Sequence, residues 1–161
     1  MKKLFAYILT SALLLLLPAC HSTKYRDDLT SQELSDRVTV ALDADGEYVI
    51  AANDALEDYF QTPAFVREHS VRFRSNRNNI DEFGIFHVSD SAKKEMQIIL
   101  SSYLSDSLSA NRSWYDSYIP QETPKLRDAE VRIFGDYVAY AILSKEDRTV
   151  FFDTLEAALK V

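Results

Sequence analysis

The sequence is poor in the residues that build disulfide frameworks and cofactor sites. Its 161 residues include one Cys, three Gly and four Pro. A single Cys excludes an intrachain disulfide and any Cys-cluster zinc or iron–sulfur site. No Gly-rich phosphate loop and no dinucleotide-binding fingerprint occurs in the chain. We therefore predict that the protein carries no cofactor.

A surplus of positive charge is also missing. The chain has 18 Lys and Arg against 25 Asp and Glu, which gives a net charge of −7. Binding to nucleic acid requires basic residues that displace counterions from phosphates, so nucleic acid is excluded as a partner. The apolar share of 47% is high enough for a folded core, and the length suits one domain.

The first residues have the pattern of an export signal. Lys2 and Lys3 precede an apolar run over residues 4–17 that only Thr10 and Ser11 interrupt. This run is shorter than the ~20 residues that a helix needs to cross the hydrocarbon core of a bilayer. We therefore predict a removable signal peptide over residues 1–19 and no permanent transmembrane helix.

The signal ends in Leu17-Pro18-Ala19-Cys20, which resembles the lipobox of bacterial lipoproteins. In those proteins the Cys thiol receives diacylglycerol and the Cys becomes the mature N-terminus. The resemblance implies palmitate-type acyl chains on Cys20 and a location on the extracytoplasmic face of the cell membrane. Two acyl chains hold a protein on a membrane where one does not. The alternative is ordinary secretion with a free thiol at Cys20.

After the anchor we expect a polar tether over residues 20–28 and a single domain over residues 29–161. Thr30 with Glu33 forms a capping box that begins a first helix, and Asp45-Gly46 can end it. Residues 54–60 have the pattern of a second short helix. A long helix begins near Asp90 and must end before Pro120, and Ser144 with Asp147 caps a last helix.

Two segments alternate with the period of a β-hairpin. In the first, a polar turn separates an alternating strand around residues 71–74 from another at residues 83–88. If the turn is centred on Asn78, Phe73 pairs with Phe83 and His69 pairs with His87. In the second, Gly135-Asp136 forms a two-residue turn. These elements predict an α+β fold with an antiparallel sheet of about four strands. The long helix and the C-terminal helix would cover one face, beside two shorter N-terminal helices.

Several segments of the chain resemble one bacterial family. Besides the lipobox, the similarity lies in the strand at residues 83–88 and in the segments 114–120, 124–131 and 135–138. They look like the lipoproteins, mostly of clostridia and relatives, that carry the domain of unknown function numbered 4358. The similarity covers roughly residues 30–160. It implies an extracytoplasmic lipoprotein and supplies no catalytic residues.

Two histidines form the candidate metal site. In the predicted register, His69 and His87 are cross-strand neighbours, and two imidazoles could hold a metal ion if a third ligand such as Glu68 were near. The alternative is an exposed or strand-end histidine pair that binds no metal.

An aromatic cluster forms the candidate ligand site. Trp114, Tyr115 and Tyr118 lie beside Pro120 and could form a platform for a sugar or peptide of the cell wall. The alternative, which we favour, is that these rings pack the end of the long helix against the second hairpin.

Two functions are compatible with the sequence. We favour a non-enzymatic binding or interaction module that recognises an envelope protein or a cell-wall ligand, because no catalytic constellation is evident. The alternative is a small envelope hydrolase that acts on cell-wall polymer through acidic residues converging in a cleft. Two titratable groups with shifted pKa values in one pocket would favour the enzyme.

Overall fold

The computed structural model describes residues 24–44, 46–52, 62–76 and 78–161. Within these residues the helices are α1 (Ser31–Ala41), α2 (Lys93–Tyr118), α3 (Thr123–Arg127) and α4 (Lys145–Leu159), with a 3₁₀ turn at Asp90–Ala92 before α2. The strands are β1 (Tyr48–Ile50), β2 (Val66–Arg74), β3 (Glu82–Val88), β4 (Glu130–Phe134) and β5 (Tyr137–Ile142). The predicted signal peptide, Cys20 and the predicted helix at residues 54–60 lie outside the described residues.

The α+β class is as predicted, with an antiparallel sheet in the order β1-β2-β3-β5-β4. The sheet has five strands within the described residues, one more than the two predicted hairpins supply. The additional strand is β1, which pairs with β2 at the edge. Three residues are too few to show an alternating pattern in the sequence.

Capping residues set the ends of the helices as predicted. The Thr30 hydroxyl accepts a hydrogen bond from the Glu33 backbone N–H, and the Glu33 carboxylate accepts one from the Thr30 N–H. The Ser144 hydroxyl caps α4 in the same way at Asp147. Helix α1 ends at Ala41, earlier than the Asp45-Gly46 stop that we expected, and Asp43 takes the left-handed conformation soon after it.

The placement of the two main helices differs from the prediction. Helix α4 packs with α1 on one face of the sheet, where its Phe151 and Leu155 meet Phe83 and Ile85. Helix α2 packs on the other face, where its Leu100 contacts the cluster of Phe86, Val138 and Tyr140. The expectation that both helices cover one face is therefore wrong.

The composition of the central strands explains this arrangement. Every residue of β5 is buried, and six of the seven residues of β3 are buried. A strand that is apolar on both faces must be covered on both faces, as in sheets whose strands read as continuous apolar runs. The run Tyr137–Ile142 has this character, so the sheet lies between two helical layers.

The described part of the expected tether lies on the folded domain. The backbone N–H of Arg26 donates to the Leu159 carbonyl at 2.8 Å, and the N–H of Val161 donates to the Lys24 carbonyl at 3.0 Å. The Tyr25 ring packs edge-on against Phe134 with centroids 6.0 Å apart. Residues 24–26 are therefore bound to the domain by backbone hydrogen bonds to Leu159 and Val161 and by the packing of the Tyr25 ring, in place of the solvated tether that we expected.

Candidate functional site

A cleft of about 560 Å³ lies between α2 and the end of the sheet where β2 finishes and β3 begins. Its walls combine aromatic and aliphatic side chains with a small number of polar groups. The apolar lining includes Phe73, Ile80, Leu126 and Ile142, and the carboxyl group of Glu82 lies among them.

Helix α2 forms one wall through residues spaced four apart. Tyr103, Ser107, Asn111 and Tyr115 all line the cleft. This spacing places side chains above one another on one helix face. The neighbouring face of α2, with Met96, Leu100 and Leu104, is buried against the sheet. The helix therefore packs the core along its first half and presents a mixed aromatic and polar stripe to the cleft along its second half.

Glu82 is the carboxyl group at the centre of the site. The hydroxyls of Tyr103, on α2, and Tyr140, on β5, both donate to its Oε1 atom, the first at 2.8 Å. Within the described residues, no donor lies at hydrogen-bonding distance from its Oε2 atom. The part of Glu82 that remains accessible faces the cleft.

Burial determines the ionisation of this group. Desolvation raises the pKa of the Glu82 carboxyl above its usual value, and the two tyrosine hydroxyls offset this only in part. Burial, with Glu82 nearby, also raises the pKa of Tyr140 and of Tyr115. The neutral form of Glu82 therefore persists to higher pH than that of an exposed Glu.

Gly84 makes room for the Tyr140 ring. The two residues are direct partners in the β3–β5 pairing. A Cβ atom at Gly84 would lie 2.3 Å from Cε1 of Tyr140, so a side chain there would displace the ring. The absence of a side chain at position 84 therefore allows Tyr140 to lie across β3 and bring its hydroxyl to Glu82.

Ion pairs form the rim of the cleft below Glu82. Asp81, which is 2% exposed, accepts from Lys125 Nζ at 2.6 Å and from Arg74 Nε at 3.1 Å. Lys125 also contacts Glu122 at 2.8 Å. Burial lowers the pKa of Lys125, but its hydrogen bonds to Asp81 and Glu122 outweigh this effect and raise the pKa overall. Arg74 has a second carboxylate partner in Glu47.

The predicted histidine pair is not formed. The β2–β3 register differs by one position from the predicted one, so His69 pairs with Phe86 and His87 pairs with Glu68. A slip of one residue turns a strand's side chains to the opposite face. The turn between the strands is not centred on Asn78, because Arg74 donates its N–H to the Asp81 carbonyl.

The two histidines consequently lie on opposite faces of the sheet. The His69 ring stacks on Phe86 at 5.8 Å, and burial lowers its pKa. The His87 ring stacks on Tyr137 at 4.5 Å, with its Nδ1 atom 3.6 Å from Glu68. Across the described ranges, no group of three or more His, Cys, Asp or Glu side chains is arranged to hold a metal ion.

The aromatic cluster at the end of α2 divides into two parts. Tyr115 packs against the apolar cluster beneath α2 and lines the cleft. Trp114 is 50% exposed and Tyr118 is 71% exposed, with their rings 5.3 Å apart. The expectation of packing therefore holds for Tyr115, whereas Trp114 and Tyr118 form an exposed aromatic pair beside it.

Tyr115 was a candidate ligand-site residue in the sequence and lines the cleft, whereas Glu82 and Tyr103 were not singled out. Glu82 follows a polar turn and resembles a turn residue, and its position in β3 became evident only from the pairing. One signal was present, however. Tyr103, Ser107, Asn111 and Tyr115 recur every four residues, which marks one helix face with a composition unlike that of a core.

Two further findings concern membrane-spanning helices and similarity to known proteins. Among the described helices, none combines the length and the apolar character that a membrane span requires. Comparison with protein-family models, with curated proteins and with solved structures gives no match. The likeness to the lipoproteins with domain 4358 stays a prediction.

Proposed function

We propose that this protein is an extracytoplasmic lipoprotein, anchored in the cell membrane through Cys20, whose domain binds a small ligand in the cleft beside Glu82. The observation that carries the proposal is the cleft itself. Its volume of about 560 Å³ lies within the range usual for small-molecule sites. Its mixture of apolar walls and few polar groups is also typical of such sites.

Glu82 and Tyr115 both line the cleft and both have raised pKa values, which is the arrangement expected of an enzyme. The partners of the two cleft carboxyl groups nevertheless favour binding over hydrolysis. A glycosidase needs a carboxylic acid and a second carboxylate that acts as base or nucleophile. Glu82 could be the acid, and Asp81 is the other carboxyl among the cleft-lining residues described. Asp81 is occupied by Arg74 and Lys125, which hold it away from that role. We therefore prefer a binding module to the alternative of an envelope hydrolase.

The binding proposal can be tested by NMR titration of the mature domain with a panel of small probes. The panel comprises choline as a cation, 3,3-dimethylbutan-1-ol and N-acetylglucosamine as neutral molecules, and butyrate as an anion. We expect at least one probe to shift the amide signals of Ser107, Asn111 and Tyr115. If no probe perturbs them, the cleft is not a small-molecule site of this kind.

A pair of matched substitutions assigns any binding to the cleft. Ser107→Phe places a ring in the cleft and should abolish the shifts, whereas Ser109→Phe, at an exposed position of the same helix, should leave them unchanged. Hydrolysis is tested separately on purified cell wall. Release of reducing sugar by the native protein and not by Glu82→Gln would replace the binding proposal with the hydrolase.

The anchoring proposal has its own test, which does not depend on the cleft. Replacement of Cys20 by Ser, or treatment of cells with globomycin, should move the protein from the membrane fraction to the soluble extracytoplasmic fraction. Mass spectrometry of the mature protein should show a diacylglyceryl group on Cys20. An unmodified thiol at this residue would refute the anchor.

A further inference from the structure

We infer that the cleft is selective for a small soluble ligand that carries a positively charged amino or ammonium group, which pairs with the Oε2 atom of Glu82. This inference rests on the proposed function and names the ligand chemistry of the same site. It is carried by three features of the cleft: the free oxygen of Glu82, the charges that surround it, and the aromatic rings of the lining.

The first feature is the asymmetry of the Glu82 carboxyl group. Tyr103 and Tyr140 both direct their hydroxyls to Oε1, and this fixes the orientation of the group. No other described residue donates to Oε2. A carboxyl oxygen has room for further donors, and the space in front of this one is the cleft. An amino group of a ligand would donate to this oxygen, and a quaternary ammonium group, which has no N–H, would pair with it through charge alone.

The second feature is that Glu82 has no cationic partner in the described part of the protein. Arg74 is a cation that lines the cleft, and it is engaged by Asp81 and Glu47. Lys125 is engaged by Asp81 and Glu122. Both of these basic groups are therefore already paired, and among the described residues none offers Glu82 a cation, which leaves it for one from outside. The net charge of −7 also favours the approach of cations over anions.

The third feature is the aromatic lining. Tyr103, Tyr115 and Phe73 all contribute to the walls. The faces of such rings attract ammonium groups when these are removed from water. A carboxyl group surrounded by aromatic rings is a site that favours a cation over a neutral group of the same shape.

Binding of such a ligand would release a proton. The raised pKa of Glu82 keeps the empty site neutral to higher pH than usual, and a ligand that keeps its ammonium charge would favour the carboxylate, so over that pH range the carboxyl proton passes to solvent. Among the described residues, Tyr103 from α2 and Tyr140 from β5 donate to Glu82, and Tyr115, Arg74 and Asp81 line the same cleft. Burial raises the pKa of Tyr115 and Tyr140, so these hydroxyls keep their protons to higher pH than usual, and we assign the pH dependence of binding to Glu82.

Isothermal titration calorimetry with two isosteric probes tests the inference. Choline carries the ammonium group, and 3,3-dimethylbutan-1-ol replaces it with a neutral carbon of the same shape. We expect choline to bind more tightly than the neutral probe, and we expect Glu82→Gln to weaken choline binding by more than about tenfold. Glu95→Gln, which removes an exposed carboxylate of α2, should leave the affinity unchanged. Equal affinities for the two probes would overturn the inference.

A second measurement uses the native protein alone, so it remains decisive if Glu82→Gln does not fold. The affinity for choline should increase with pH, and titration in two buffers of different ionisation enthalpy should show proton release. An affinity for choline that does not change with pH overturns the inference. If only neutral probes bind in the cleft, this inference fails while the proposed function stands, whereas the absence of any binding removes both.

Discussion

Glu82 is a carboxylic acid held by two tyrosine hydroxyls at a position from which most water is excluded. Its raised pKa makes the stability of the fold depend on pH. In the unfolded chain a Glu side chain ionises near pH 4.3, whereas in the folded protein it keeps its proton to higher pH. The same group therefore connects the chemistry of the cleft with the stability of the domain.

Stability should decrease as Glu82 ionises. Because its folded pKa is raised, its contribution is fully present below the unfolded pKa and is lost as the pH rises through the folded pKa. Urea unfolding over a pH series should show the native protein losing stability above about pH 4.3, relative to Glu82→Gln, which cannot ionise. Parallel curves for the two proteins would contradict a raised pKa at this residue.

Gly84 and Tyr140 should be energetically coupled. Gly84→Ala places a Cβ atom against the Tyr140 ring, and overpacking of this kind costs about 1–3 kcal/mol. The same change in a Tyr140→Leu background should cost much less, because the ring is no longer present. A double-mutant cycle of unfolding free energies measures this coupling, and additive effects would show that the ring is not held by the space at Gly84.

At the level of single elements, helix ends and one turn were predictable because each depends on neighbouring residues. The Thr30 and Glu33 capping box and the Gly135-Asp136 turn are local chemistry, and both are confirmed. The β2–β3 register was not predictable in this way. The predicted turn is one residue longer than the observed turn, and the polar residues between the two strands are compatible with both. Only packing of the strands against α1 and α2 selects between the two registers.

The buried Arg72 shows how packing overrides the strand pattern. Alternation placed Arg72 toward solvent, but its guanidinium is buried and donates to Thr39 on α1 at 2.8 Å, with Asp36 as its ion-pair partner. Its neighbour Phe73 is 39% exposed and lines the cleft instead. The residue pattern of β2 alone cannot predict this contact, because the partners of Arg72 lie on α1, which is distant in the sequence.

The end of α2 should contribute little to stability despite its aromatic residues. Trp114 is half exposed, so Trp114→Ala should lower the unfolding free energy by less than about 1.5 kcal/mol. Phe151→Ala, at a fully buried position of α4, should lower it by about 3–5 kcal/mol. Both values come from urea denaturation. A loss at Trp114 comparable to that at Phe151 would indicate a buried role for this ring.

At the scale of the whole molecule, the α+β class followed from the alternating segments, but the layering did not. The apolar run of β5 already indicated a strand covered on both faces. The prediction instead placed the main helices on one face of the sheet, because antiparallel sheets commonly keep one solvated face. The cleft depends on this layering, since α2 must lie on its own face to leave space beside Glu82.

The docking of the N-terminal segment should stabilise the whole domain. Tyr25→Ala removes the ring that packs on Phe134, and we expect a loss of roughly 1–3 kcal/mol together with faster hydrogen exchange at the Arg26 and Val161 amides. Lys24→Ala, at an exposed side chain, serves as the control. Unchanged exchange at both amides in Tyr25→Ala would show that the backbone pairing does not depend on this ring.

The position of this docked segment determines which end of the domain an anchor would hold. Tyr25 lies against Gly135, in the turn at one end of the sheet, whereas Glu82 and Ile142 mark the other end, about 20 Å away along β3. Cys20 precedes Lys24 by four residues, a reach of about 14 Å at full extension. With acyl chains on Cys20, the bilayer would adjoin the Gly135 end, and ligands would enter the opposite end from the aqueous compartment without partitioning into lipid.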